Sequence, residues 1–269
     1  MRKLLIPIGL LLSAPAAASP KYLHITGNSV SPVVESGSDG NIEPPPADQA
    51  GFDRLVLNER FDSETELLSR WSLGLWYQGN LLSNKALSTD GGIGEFVATP
   101  ESPLRLADLS SWTAGAAGRR TFKYGYFDVR MRWATNPNGN WANFWLLSED
   151  VANVPYSGSW PAYCEIDGVE AYDGGYQSTV HDWLGKNQDT SFSRLHAFRT
   201  SGYDPEQWHT YGILWRPGKI SFYFDEQLAY TVVSPAVCDA SKMMINFGAA
   251  RHGKYRAVAD FDWVRVWQE

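Results

Sequence analysis

The chain is short of cysteine, of basic charge and of long apolar runs, and each shortage narrows what it can be. Only two of its 269 residues are cysteine, Cys164 and Cys238. At most one intrachain bridge can form, and a fold of this size does not depend on one. Lysine and arginine number 23 against 30 acids, which makes nucleic acid or an anionic membrane surface a poor default partner. A local basic cleft can still sit on an acidic protein, so a sulfated or uronic substrate is only weakly disfavoured. No segment approaches the roughly 20 apolar residues needed to span a bilayer, so no stable membrane anchor is expected. Long helical periodicity is also missing.

What is present begins with a short basic head, Arg2 and Lys3, an apolar stretch from Leu4 to Leu12, and Ala16-Ala17-Ala18. That order of features is an export signal over residues 1–18. The mature protein is expected to start near Ser19 and to be secreted, extracellular or periplasmic. The signal contains no cysteine for lipid attachment. Residues 19–51, with Ser-Gly-Ser-Asp-Gly at 36–40 and Pro44-Pro45-Pro46, read as a disordered leader or linker. The folded domain is expected over 52–269. The other surplus is aromatic: 12 Trp and 13 Tyr, some of them core, others available as platforms for the apolar faces of sugar rings.

From Phe52 onward short alternating runs are broken by Gly, Pro, Asn and Asp, the pattern of a β-sandwich or barrel. The clearest strands are 126–132, 143–147, 210–215, 219–224, 243–247 and 261–267. Tight connections are expected at Trp215-Arg216-Pro217-Gly218-Lys219 and at Asp225-Glu226.

The most informative stretch is Cys164-Glu165-Ile166-Asp167-Gly168-Val169-Glu170-Ala171-Tyr172. Its apolar members belong to a covered strand rather than a solvated face. On a regular strand Glu165 and Asp167 share a face and Glu170 points away. One β-bulge near Gly168 or Val169 returns Glu170 to their face. Three carboxylates in one groove cannot all ionise easily, so at least one keeps a proton near neutral pH. A charged and a protonated carboxyl flanking a glycosidic bond is what glycoside hydrolysis needs. A separation of roughly 5 Å gives retention of configuration, a wider one inversion.

Glu165-Ile166-Asp167-Gly168-Val169-Glu170 is similar to the Glu-x-Asp-x-x-Glu signature of the bulged branch of glycoside hydrolase family 16, the laminarinase, lichenase and agarase superfamily. The resemblance runs from about Leu57 to the C-terminus. It includes Phe122-Lys-Tyr-Gly-Tyr-Phe-Asp-Val-Arg-Met-Arg, Trp208-His-Thr-Tyr-Gly-Ile-Leu-Trp215 and Asp262-Trp-Val-Arg-Val-Trp-Gln268. In Gly139-Asn-Trp141-Ala-Asn-Phe-Trp145, Ala142-Asn143 stands where Pro-Ala is common. Two further departures are Gly168, where a branched apolar residue is usual, and Phe247-Gly248-Ala249-Ala250, where many glucanases carry Gly-Gly.

The resemblance implies an all-β fold, a two-sheet antiparallel sandwich (concanavalin-like jelly roll) with a cleft across its concave sheet. It casts Glu165 as nucleophile, Glu170 as general acid/base and Asp167 as the helper that sets the nucleophile's ionisation and orientation. Trp141, Trp145, Trp160, His181 and Trp183 become candidate substrate contacts; core packing is the alternative for a tryptophan, and a structural role for the histidine. No cofactor is required. Asn58, Glu59 and Asp262 are candidate ligands for a structural calcium, against the reading that they are ordinary surface polar groups. Cys164 points away from the cleft and is read as a buried free thiol, with a bridge to Cys238 as the alternative.

The expected function is endo-acting, retaining hydrolysis of a β-1,3- or β-1,3/1,4-glucan by a monomeric protein with a polysaccharide as its partner. Alternatives are a galactanase acting on agarose or carrageenan, an exopolysaccharide depolymerase, a transglycosylase, a non-catalytic carbohydrate-binding module, or a calcium-dependent adhesive domain.

Overall fold

The computed structural model describes residues 21–24, 44–75, 87–100, 106–111, 120–135, 140–152, 161–172, 175–187, 190–251 and 255–269. The proposed signal, residues 25–43 of the expected linker and Trp160 lie outside them. Strands are numbered in chain order. One sheet runs β1 (Lys21–His24), β11 (Thr190–Ser201), β10 (Gly175–Asn187), β9 (Tyr163–Tyr172), β8 (Asn140–Ser148), β15 (Met243–Arg251), β6 (Leu106–Ser110) and β3 (Ser72–Leu73). The other runs β14 (Gln227–Val233), β13 (Lys219–Phe224), β12 (His209–Arg216), β7 (Gly125–Trp133), β16 (Ala257–Gln268), β5 (Gly94–Ala98) and β4 (Leu87–Ser88), with β2 (Arg54–Glu59) also on β16. Pairing is antiparallel except where β1 joins β11. This is the expected two-sheet sandwich, and all six strands read from the sequence are present.

Alternation explains the layering. In β7, Phe127, Val129 and Met131 enter the shared core, as do Cys164, Ile166, Val169 and Ala171 of β9. Phe61, Phe96, Phe247 and Phe261 meet there, mostly edge to face. On the far face of the second sheet Arg265 pairs with Asp128 at 2.6 Å and Arg130 pairs with Asp262. Indole rings interleave with these guanidiniums, Arg265 standing 4.3 Å over Trp263. Both expected hairpins form. Asp225 and Glu226 adopt φ of 45° and 64°, and the Asp225 carboxylate holds the turn by accepting from Thr210 N at 3.0 Å.

Three expectations change. Cys164 is not a free thiol: it does point into the core, and there it is bonded to Cys238, 74 residues away. No periodicity could pair a strand cysteine with one in a turn. The 19–51 stretch is not uniformly featureless, because β1 extends a sheet edge and Pro45–Ala50 forms a helix, α1. Proline at its start suits a first helical turn, and Ala47 and Ala50 pack with Phe52, Tyr126 and Trp267. Third, Asn58, Glu59 and Asp262 do not converge on a cation. Asn58 is exposed while Glu59, next along the strand, turns inward. Both Glu59 oxygens are occupied by Arg70, and they also accept from Phe61 N and Trp71 Nε1. Asp262 carries Arg130 on the opposite face. The two acids of this set are each paired with an arginine, so the set does not fit calcium.

Candidate active site

The site is built on β9 and its bulge. Along β8 the partners run Asn143 with Glu170, Phe144 with Val169 and Trp145 with Asp167, so Gly168 has no partner. On the other side Gln177 faces Glu170 and Thr179 faces Asp167, with one residue of β10 spanning two of β9. Gly168 and Val169 therefore both turn to the core, and Glu165, Asp167 and Glu170 all turn to the outer face. Two local features hold the bulge. The Gly168 carbonyl accepts from Ser178 Oγ at 2.8 Å. A Cβ on Gly168 would lie 2.9 Å from Ile213 Cδ1 and 3.0 Å from Phe144 Cδ1, so a larger residue here would have to displace these two side chains.

Around this row the sheet supplies polar groups and aromatics in register. His181 faces Glu165 across the β9–β10 ladder, and its Nε2 stands 3.0 Å from Asp167 Oδ2. Trp183 Nε1 donates to Glu165 Oε2 at 2.8 Å. Its ring stacks on His181 at 5.1 Å and on Tyr163 at 5.5 Å. Donor atoms of Glu165, Asp167 and His181 all lie within 4.8 Å of one another.

This crowding raises both acids. Burial pushes the Glu165 carboxyl up to about 8, with the Asp167 charge next in importance, while His181 and the Trp183 N–H pull the other way. Burial likewise pushes Asp167 up to about 8, opposed by a hydrogen bond with Glu165. Each acid thus holds its proton more tightly than a free carboxyl, and a charge on one disfavours a charge on the other, so the two titrate as a coupled pair able to share a proton. Removing a shared proton leaves two charges in a largely dry site; adding a second leaves neither acid charged.

Trp145 and Trp141 lie on the same face by strand parity, both partly buried. Trp145 Nε1 donates to Asn143 Oδ1 at 3.1 Å. Its ring packs on the small cluster of Leu147, Val151, Tyr163 and Met244, so it combines a core edge with a cleft edge. Of the expected contacts, Trp141, Trp145, His181 and Trp183 thus share the carboxylates' face. Sequence reasoning missed Asn143, Gln177, Thr179 and Asn246. Asn246 pairs with Trp145 across the β8–β15 ladder; it is fully buried, and its amide has no hydrogen-bond partner among the described residues. Thr179 was within reach of sequence reasoning, being two residues before His181 and so on its face.

A sandwich with three acids gathered over a bulge on one sheet face defines a class, that of carbohydrate-active jelly rolls, and the comparisons identify the family. The model of glycosyl hydrolases family 16 matches residues 85–260; the chain belongs to this family. It is 26% identical over 229 residues to an endo-1,3-1,4-beta-glycanase, ExsH, of Rhizobium meliloti, covering 72% of this chain and 47% of that protein. It is 25% identical over 232 residues to glucan endo-1,3-beta-glucosidase A1 of Niallia circulans, covering 77% and 33%. The chain thus spans less than half the length of these relatives. Among solved structures it is similar in fold to a laminarinase from Flavobacterium sp. UMI-01, with a TM-score of 0.61 at 18% identity, over 80% of this chain and 100% of that one.

Proposed function

We propose that the protein is an exported, endo-acting glycoside hydrolase that cleaves internal β-linkages of a glucan with retention of configuration. The observation that carries this reading is the bulge at Gly168, which sets Glu165, Asp167 and Glu170 on one face. Glu165, with the shared proton resting on Asp167, is the charged nucleophile. Trp183 Nε1 fixes one of its oxygens, leaving the other to attack the anomeric carbon. Glu170 protonates the departing glycosidic oxygen, then takes a proton from the water that releases the glycosyl group. Trp141, Trp145 and Trp183 supply apolar surface to sugar rings. A binding module gains nothing from two acids held at about 8, whereas a nucleophile and its helper need that coupling.

The glucan assignment, β-1,3 or mixed β-1,3/1,4, takes its support from the two relatives, an endo-1,3-1,4-beta-glycanase and a glucan endo-1,3-beta-glucosidase. Export takes its support from the pattern of residues 1–18. The test is a reducing-sugar screen on laminarin, mixed-linkage glucan, agarose and carrageenan, with Glu165→Gln as control. Release from a glucan by the wild type alone is expected. Release only from a galactan would move the substrate assignment, and no release above control on any of the four would overturn the enzymatic reading.

A further inference from the structure

The three carboxylates leave one arrangement on the same face unexplained. In the ladders Gln177 faces Glu170, and Arg199 faces Gln177, so a row of side chains crosses β9, β10 and β11. Thr179 stands two residues from Gln177 on the same face. Arg199 Nε donates to Gln177 Oε1 at 3.3 Å, Gln177 Nε2 donates to Thr179 Oγ1 at 3.1 Å, and Thr179 Oγ1 donates to Glu170 Oε2 at 3.0 Å.

We propose that Arg199, Gln177 and Thr179 form a one-way hydrogen-bond chain that positions Glu170 and assigns its transferable proton to Oε1. The proposal rests on reading Glu170 as the general acid/base. Direction follows from the inventory of donors. A guanidinium can only donate, so Gln177 must turn its oxygen to Arg199 and its NH2 to Thr179. The threonine oxygen accepts that bond, and its single O–H is left for Glu170 Oε2. Reversal would require Arg199 to accept, which it cannot do. A proton on Oε2 would point into the threonine hydrogen, so the acid form carries it on Oε1.

In the first step that proton passes from Oε1 to the glycosidic oxygen as the bond from that oxygen to the anomeric carbon breaks and the bond from Glu165 to the same carbon forms. In the second, water adds to the anomeric carbon, the ester bond to Glu165 breaks, and the water's proton returns to Oε1. Thr179 and Gln177 are positioning residues, and Arg199 anchors the chain at the exposed end. Among the described residues the charged or titratable groups facing Glu170 are Asp167 and Glu165 on its own strand, His181 on β10 and Arg199 on β11. On β8 its neighbours are Asn143 and Trp145, neither of which titrates.

The test compares kcat/KM on a glucan with that on a 2,4-dinitrophenyl β-oligoglucoside, whose leaving group departs without a proton. Thr179→Val should lose about 10- to 100-fold on the glucan, the lower part of the roughly 100- to 10,000-fold that a general acid contributes, because Glu170 itself remains, and about threefold or less on the aryl glycoside. Thr179→Ser should recover to within about threefold of wild type, since it keeps the hydroxyl. Arg199→Met, at the exposed end and safe for folding, should show the same selectivity at roughly three- to tenfold. Equal losses on both substrates, a serine variant as poor as valine, or no loss in Arg199→Met would overturn the chain. A carbon-13 titration of glutamate-labelled resting protein reads the contact without turnover, with the Glu170 signal assigned by Glu170→Gln. Its midpoint should move to higher pH in Thr179→Val, and an unmoved midpoint would overturn the chain even in an active enzyme. A moved midpoint in a protein inactive on every glycan would uphold the contact and remove the acid/base role.

Discussion

Replacing Glu165, the proposed nucleophile, should make the protein more stable while removing its activity, and the gain should depend on pH. The carboxyl of Glu165 rises from 4.5 to about 8 on folding and that of Asp167 from 3.8 to about 8. Both are raised above their unfolded values, so the folded state binds more protons than the unfolded chain between about pH 4 and pH 8. Stability from this pair is full below that window and is lost as pH rises through it. For Glu165 alone, a rise from 4.5 to about 8 corresponds to about 5 kcal/mol at 1.36 kcal/mol per pH unit. The two acids share one proton, and Glu165 is not fully covered from solvent, so roughly half of that, about 2 kcal/mol, is the reasonable expectation. Glu165→Gln keeps an acceptor for Trp183 Nε1 and removes the charge. Urea denaturation at pH 5 and pH 8.5 should show the variant gaining about 2 kcal/mol on wild type between the two, or about 4–8 °C in Tm for a domain of this size. A difference between variant and wild type that does not change with pH would refute the claim that the pair is held as a strained proton-sharing unit.

Other consequences follow from neighbouring contacts. Gly168→Val should destabilise by about 1–3 kcal/mol through overpacking against Ile213 and Phe144, and Ile213→Ala in the same chain should recover part of the loss in a double-mutant denaturation cycle. Trp183→Phe keeps the stack on His181 but removes the donor to Glu165, so the acidic limb of the kcat/KM profile should move to higher pH. Reducing the Cys164–Cys238 bridge, which closes 74 residues, should cost about 4 kcal/mol on the chain-entropy scale, read as a lower urea midpoint in dithiothreitol and no such shift in Cys238→Ser.

The strands were legible because alternation is a local property: 219–224 is found with the bounds its sequence pattern suggests. The bulge was legible for a related reason. An odd spacing between Glu165 and Glu170 in an otherwise buried strand leaves few ways to use both acids, and the register confirms the extra residue at Gly168. Contacts made between strands were not legible. The bridge of Cys164 to a turn cysteine, the four bonds that occupy Glu59, and the line from Arg199 to Glu170 all depend on which strands lie side by side and in what register, and hydrophobic period does not encode that. The helix at 45–50 was hidden because three prolines and short length read as linker, while its stability comes from Ala47 and Ala50 against Phe52 and Trp267.

The central claim is that the bulge makes Glu165 the nucleophile and leaves Glu170 to handle the proton. A 2-deoxy-2-fluoro oligoglucoside with a good leaving group slows both steps and the second more, so a covalent enzyme can be digested and sequenced by mass spectrometry. The account predicts a single glycosyl adduct on Glu165 and none in Glu165→Gln. An adduct on Asp167 or Glu170, or turnover of glucan to an inverted first product with no adduct at all, would contradict it.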